Sequence, residues 1–485
     1  MSRAAFRNAG CLLAVVLVCL GGQGASALPV FPGAVGFGTH TVAGRGGKIL
    51  RVTNLNDSGP GSLRAAMTAS GPRVVIFEVS GIIDLKTTLY VGDPYLTVAG
   101  QTAPSPGIMV RGAPIVLYGH DMLVQHIASR PGSKYPPGEI LNNRDAFCIS
   151  SDPNQECYNI VLDHVSGSWS TDEVLSTWAD DNGVVRDVTI SNSIFAEALT
   201  NAGHTDEATG EPEAHSTGVL IGRNSRRVSL LRNVLAYNRW RNPLCRDNYT
   251  DVQVVNNLVY LSDPYDRISI ASDGRANLPV TASVCGNVYF IDKDAESVRR
   301  PYAILAHTLP DHVLNLYVRD NWLFNPNTGR GDPYWTPANG DPWQVVAYGD
   351  HQGTLHRLEA EPPQFAALKV PLLGNREDVE RHLLANAGAR PGDRDPVDAR
   401  IIRQIRQREG SFIDSPEEVG GYPQWRPVTR RLVTPKNPNG DDDGDGYTNL
   451  EEWLHRYAAA VEKGTGRRPS ARPSQQPRGR ANSRR

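Results

Sequence analysis

Val228-Ser229-Leu230-Leu231-Arg232-Asn233 and Val252-Gln253-Val254-Val255-Asn256-Asn257 say the same thing twice: a short apolar strand, then asparagine. The phrase also stands as Val188-Thr189-Ile190-Ser191-Asn192 and as Val284-Cys285-Gly286-Asn287, and Leu314-Asn315-Leu316-Tyr317 leading to Asn321 is a further copy. It returns from about Val74 to Phe324 at irregular intervals, the longest of which contains the polar insertion Asn201–Ala214. Strands this short cannot bury their inward side chains alone. Stacked coils can, so the pattern predicts an all-β solenoid, a parallel β-helix in which each copy is one coil. Asparagines at one place in every coil would then hydrogen-bond up and down the stack. An antiparallel sandwich is disfavoured because Asn-Gly hairpin signals between alternating runs are scarce.

The 485 residues include 46 Gly and 35 Pro, which favours many turns over long helices. Residues 28–73 are Gly-rich and read as the cap of the first coil. The composition changes after Phe324, so residues 28–324 read as the β-helix and 325–434 as a C-terminal region. Within that region, helical patterns at Arg376–Leu384 and Val397–Arg408 are expected to pack on the solenoid.

Residues 1–27 read as an export signal. Arg3 and Arg7 precede the apolar run Leu12–Leu20, and Ala25-Ser26-Ala27 supplies a small-residue cleavage site. No later stretch approaches the ~20 apolar residues of a membrane span. A secreted, extracellular protein is expected, periplasmic if the source is bacterial. Cys148, Cys157, Cys245 and Cys285 then face an oxidising compartment, where disulfides such as Cys148–Cys157 and Cys245–Cys285 are allowed; buried free thiols are the alternative. The formal net charge of −2 conceals a tail, 463–485, that is rich in Lys and Arg and holds no acid. Such a tail is solvated and names no specific nucleic acid or other partner.

Asp441-Asp442-Asp443-Gly444-Asp445-Gly446-Tyr447-Thr448-Asn449-Leu450-Glu451-Glu452 fits a twelve-residue calcium loop. Oxygen ligands fall at Asp441, Asp443, Asp445, Asn449 and Glu452, with glycine at the sixth place and the Tyr447 carbonyl at the seventh. Pro435, Pro438 and Gly440 preclude an entering helix, so 435–462 reads as a small EF-hand-like module with an exiting helix only.

A second constellation lies in the solenoid. Asp145 and the pair Asp172-Glu173 are followed by Arg241-Asn242-Pro243-Leu244-Cys245-Arg246. Carboxylates able to hold a metal, followed by two arginines, suit a polyanionic substrate whose own carboxylates must be neutralised before chemistry starts. With them come Phe31-Pro32-Gly33-Ala34, Val52-Thr53-Asn54-Leu55-Asn56-Asp57-Ser58-Gly59, Gly100-Gln101-Thr102-Ala103-Pro104, Leu162-Asp163-His164-Val165-Ser166-Gly167-Ser168-Trp169 and His215-Ser216-Thr217, all in one order.

This ordered set, spanning roughly Leu28 to Phe324, resembles the pectate lyases of polysaccharide lyase family 1. The resemblance implies a right-handed single-stranded parallel β-helix that cleaves polygalacturonate by Ca²⁺-assisted β-elimination. It further implies Asp145, Asp172 and Glu173 as calcium ligands, Arg241 as the proton-abstracting residue and Arg246 as a substrate-binding one. Two positions depart from the family pattern: Ser176 stands where a second carboxylate is usual, and Thr217 where many members have lysine. A monomer acting on a pectic polysaccharide is expected. The competing readings are a β-helical glycoside hydrolase, for which Asp180-Asp181 is the obvious acid pair, and a non-catalytic glycan-binding protein or adhesin. Asp163-His164 is read as coil-to-coil hydrogen bonding, and His204, Asp206 and His215 as solvated residues rather than a transition-metal site. Trp169 and Trp178 are read as either groove or core residues.

Overall fold

The computed structural model describes residues 28–134, 141–206, 208–262, 267–274, 278–291, 302–325, 334–336, 340–349 and 352–463. Residues 1–27, expected to be an export signal, and all of the basic tail beyond Lys463 lie outside the described residues.

Three long sheets run side by side as the walls of a parallel β-helix. One has eleven strands from Lys48–Val52 to Thr354–Arg357, paired in parallel throughout. A second, of nine strands from Leu89–Val91 to Val346–Tyr348, carries the groove described below. The third, also eleven-stranded, runs in parallel from Val79–Asp84 to Trp322–Asn325 and has one antiparallel strand added at each end. The interior is a continuous stack of aliphatic side chains, for example Val188, Val228 and Val252, which sit at matching places in successive coils. Parallel pairing buries both faces of most strands: core-facing Val228, Leu230, Val252 and Val254 alternate with Ser229 and Gln253, which are buried too.

The turn between the first and third sheets explains the asparagines. In successive coils one residue takes the left-handed conformation: His126 (φ 58), His164 (φ 49), Asn192 (φ 50), Arg232 (φ 57), Asn256 (φ 57) and Gly286 (φ 67). The residue after it points inward, and from Asn233 onward it is always asparagine. Each Nδ2 of Asn233, Asn257 and Asn287 donates to the next Oδ1, at 3.1, 3.0 and 2.8 Å, ending on Asn321. The same amides donate to strand carbonyls, so the buried ladder is satisfied within itself.

The parallel ladder does not stop at Phe324. Val346–Tyr348 pairs with Ile304–Thr308, and Thr354–Arg357 pairs with Val313–Arg319, which completes a further coil. Helices Arg376–Asn386 and Pro396–Gln407 lie on the outer face of the third sheet, in a cluster with Ile194, Val234 and Leu258. Asn375 closes the first with a capping box, and Asp395 caps the second ahead of Pro396. Wall and helix are also joined through charge: wholly buried Arg130 donates to Asp395 at 3.0 Å and to Asp398 at 2.6 Å.

The chain then returns to its first coils. Val428–Thr429 pairs antiparallel with Val79 and Ser80, and helix Asn449–Lys463 packs Leu450, Trp453 and Leu454 on Val74, Ile76 and Ala99. No helix among the described residues is long and apolar enough to cross a membrane.

The expected disulfides do not form; all four cysteines are free thiols. Cys148 lines the groove whereas Cys157 faces the core, and Cys245 faces the core whereas Cys285 lies in the outer cluster with Leu231 and Val255. In each pair one thiol faces the core and the other the outside, and the two lie on strands of different sheets.

Candidate active site

The nine-stranded sheet presents a groove of ≈ 1250 Å³. Its floor is a column of side chains at one register, Tyr90, Val116, Cys148, Ser176 and Leu220, each from a successive coil. Asp145 precedes one strand of the sheet, Asp172 and Glu173 begin the next, and Arg241 and Arg246 flank the short strand Leu244–Cys245. Residues far apart in sequence converge because each coil repeats the same path.

All five of these side chains line the groove. Asp145, Asp172 and Glu173 each bring a carboxylate oxygen within 4.8 Å of the other two. Burial, together with the charge of Asp172, raises the Asp145 carboxyl well above the usual range, against the opposing pull of Ser176 and Arg241. Three acids held this close, two of them buried, form a set of hard oxygen donors that fits a calcium ion. Ser176 donates its hydroxyl to Asp145, and the Arg241 guanidinium pairs directly with Glu173. Arg246 is more open to solvent, with Asp273 at 3.7 Å.

The two departures from the family pattern fall in different places. Ser176 lies on the groove floor, where an acid would enlarge the carboxylate set. Thr217 is buried in the wall beside Glu173, with no outlet towards the groove.

The acid pair of the hydrolase reading does not face a shared space. Asp180 accepts from Trp178 Nε1 at 3.0 Å, and Asp181 occupies the exposed turn behind it. Trp178 lines the groove with Arg223 stacked over its ring, while Trp169 is a core residue bonded to Glu197. Asp163 accepts four hydrogen bonds, from Gln125, His164, Ser191 and Asn192, as expected of a coil-to-coil post.

His204 and His215 are not solvated. Both are buried at the groove edge, stacked 3.6 Å apart and nearly parallel, with His215 Nε2 3.1 Å from Asp172. The insertion folds back on the wall, and polar composition alone gave no sign of it. Tyr90 and Arg223 are further groove residues without a local motif. Only a coil-by-coil alignment of outward positions would have exposed them.

In the acidic loop, Asp441, Asp443 and Asp445 bring oxygens within 4.8 Å of one another. Asp441 also accepts from the Gly444 and Gly446 amides, at 2.7 and 3.0 Å. Burial and the nearby Asp443 raise the Glu452 carboxyl, as expected where acids crowd one point. Asn449 instead braces the turn, accepting from Asp442 and donating to the Asn437 carbonyl. The Tyr447 hydroxyl reaches the Pro29 carbonyl at 3.0 Å.

Acids and arginines gathered in one groove of a parallel β-helix suit an anionic polysaccharide. Over 455 residues the chain is 32% identical to the probable pectate lyase C of Aspergillus flavus, covering 89% of this chain and 94% of that one. The corresponding protein of Emericella nidulans is 36% identical over 439 residues, 90% of this chain and 87% of its own. The chain belongs to the pectate lyase family, and these relatives are named probable pectate lyase C. No family model matches the sequence. Solved structures of similar fold include the thermostable pectate lyase PL 47, at 15% identity and a TM-score of 0.46 over 75% of this chain and 98% of that one. The cedar pollen allergen Jun a 1 matches at 17% and 0.44, over 73% and 92%.

Proposed function

We propose that this chain is an exported enzyme that cleaves pectate, a polygalacturonate, by β-elimination with calcium bound in the groove. Asp145, Asp172 and Glu173 would hold the ion. When bound, it neutralises the uronate carboxylate and so makes the adjacent C5–H more acidic. Arg246 binds a substrate carboxylate. Arg241 takes the C5 proton; the electron pair left behind forms the C4–C5 double bond, the C4–O bond breaks, and the leaving oxygen takes up a proton. The products are a new reducing end and a 4,5-unsaturated uronide.

An arginine acts as a base only when neutral, and its reference pKa exceeds about 12. The Glu173 carboxylate beside Arg241 holds the proton on. Once Glu173 serves a cation instead, that hold is released and the positive charge of Arg246 opposes reprotonation. Activity therefore rises towards alkaline pH. The acidic loop, through Asp441, Asp443, Asp445, the Tyr447 carbonyl and Glu452, would take a second calcium with a structural role, while Asn449 holds the turn.

The observation that carries this reading is the convergence of residues 145, 172, 173, 241 and 246 on one groove. The test is incubation with polygalacturonate and calcium, followed by ultraviolet absorbance of the unsaturated uronide. New reducing ends without that absorbance would indicate hydrolysis, and neither signal would indicate binding alone.

A further inference from the structure

On the face of the solenoid away from the groove, His126 and His164 hold the same place in neighbouring coils, their rings 5.2 Å apart and 14° from parallel. Helix Asn449–Lys463 lays Glu462 against both, with its Oε1 3.5 Å from His126 Nε2 and 3.9 Å from His164 Nδ1. The three side chains each bring a ligand atom within 4.8 Å of the others.

Protonation at this cluster is constrained by its surroundings. His126 Nδ1 lies 2.7 Å from the Ala389 carbonyl, an acceptor only, so Nδ1 carries the hydrogen and Nε2 keeps its lone pair. That Nε2 is wholly buried and makes no hydrogen bond among the described residues. It faces a carboxylate oxygen of the partly exposed Glu462, so two acceptors confront each other. Something positive belongs between them. His164 Nδ1 is 2.8 Å from Asp163, which is itself fixed by neighbouring coils, so this nitrogen is held by a carboxylate and Nε2 is the atom left for a metal. A histidine anchored at one nitrogen by a carbonyl or carboxylate is the usual arrangement behind a metal ligand.

We propose that His126, His164 and Glu462 bind a divalent transition-metal ion of the zinc class, which clips helix Asn449–Lys463 to the solenoid wall. Two imidazoles and one carboxylate suit such an ion far better than calcium, which prefers oxygen alone. A fourth position is left for water. The role is structural: the helix leaves the acidic loop at one end and would be pinned to the wall at the other. The rival occupant is a proton. Burial opposes charge on His164, yet Asp163 lifts its imidazole, and burial lifts the Glu462 carboxyl.

The test uses the full chain, stripped with chelator and then supplied with excess calcium to fill oxygen-donor sites. Zinc is titrated and counted by elemental analysis, and cobalt is added in parallel for its visible absorption. Three variants are compared: His126→Asn, His164→Asn and Glu462→Gln. Asparagine already occupies this place in the next coil, at Asn192 with the same backbone conformation, so the histidine variants preserve the turn. Glu462 lies on a helix surface, so its variant decides the matter alone should the others not fold. The expected result is one zinc equivalent in the parent that is lost, or weakened at least about ten-fold, in each variant, together with the cobalt band. Zinc held elsewhere, as at Asp172, His204 and His215, is unchanged by these substitutions. Equal zinc content and cobalt spectra in parent and variants overturn the proposal, as does a parent that takes up no zinc, which leaves the proton as sole occupant.

Discussion

Ser176 donates its hydroxyl to the carboxylate of Asp145 across one coil of the groove. A neutral donor thus does for Asp145 part of what a cation would do, at a position where the family pattern has an acid. Ser176→Asp is expected to tighten calcium binding several-fold and to lower the melting temperature in chelator, because one more acid is then crowded without a counter-ion. Calorimetric titration and melting with and without calcium check both signs. An unchanged affinity would place the ion away from residue 176.

Arg241→Lys retains the charge but loses the planar geometry and the position of the reacting nitrogen. A residue acting as base contributes typically about 10²–10⁴-fold. A loss in that range is expected in the rate of unsaturated-uronide formation, with calcium affinity little altered. A variant as active as the parent removes Arg241 from the chemistry.

Asn257 sits mid-ladder, bonded to Asn287, to Leu230 and from Asn233. Asn257→Ala strands buried partners on both sides, at about 1–3 kcal/mol for each group left unsatisfied. Urea unfolding should show a loss of several kcal/mol. A change below about 1 kcal/mol would mean that the ladder organises the turns without stabilising them.

Burial and the neighbouring Asp395 raise the Asp398 carboxyl to about 6, against the pull of Arg130. Its folded pKa lies above its unfolded one, so the folded state binds more protons between the ordinary carboxylate range and about pH 6. The associated stability is full at low pH and is lost as pH rises through that window. Asp398→Asn cannot ionise, so its melting temperature should gain on the parent from about pH 4 to about pH 7. Parallel curves across that range would show that the Asp395–Asp398 pair stays ionised.

The repeat made the fold legible, because a solenoid writes the same instruction into every coil. Helices on the flank were legible from their own periodicity, and Asp145, Asp172, Glu173, Arg241 and Arg246 from their order. The last coil was not. Val346–Tyr348 and Thr354–Arg357 close an open end with largely uncovered strands, so their side chains need not alternate between apolar and polar. The cysteines misled for a related reason. Sequence spacing says which coil a residue belongs to, but one residue of register decides which side of the wall it faces.

The antiparallel strand Val428–Thr429, laid beside Val79 and Ser80, has a consequence for biosynthesis. Translation makes the opening coils first and their cover last, so that border stays bare while almost the entire cylinder is being built. An unguarded strand margin invites pairing with another molecule. Shortening the polypeptide before residue 428 should therefore turn a well-behaved product into one that self-associates, even with every groove residue in place.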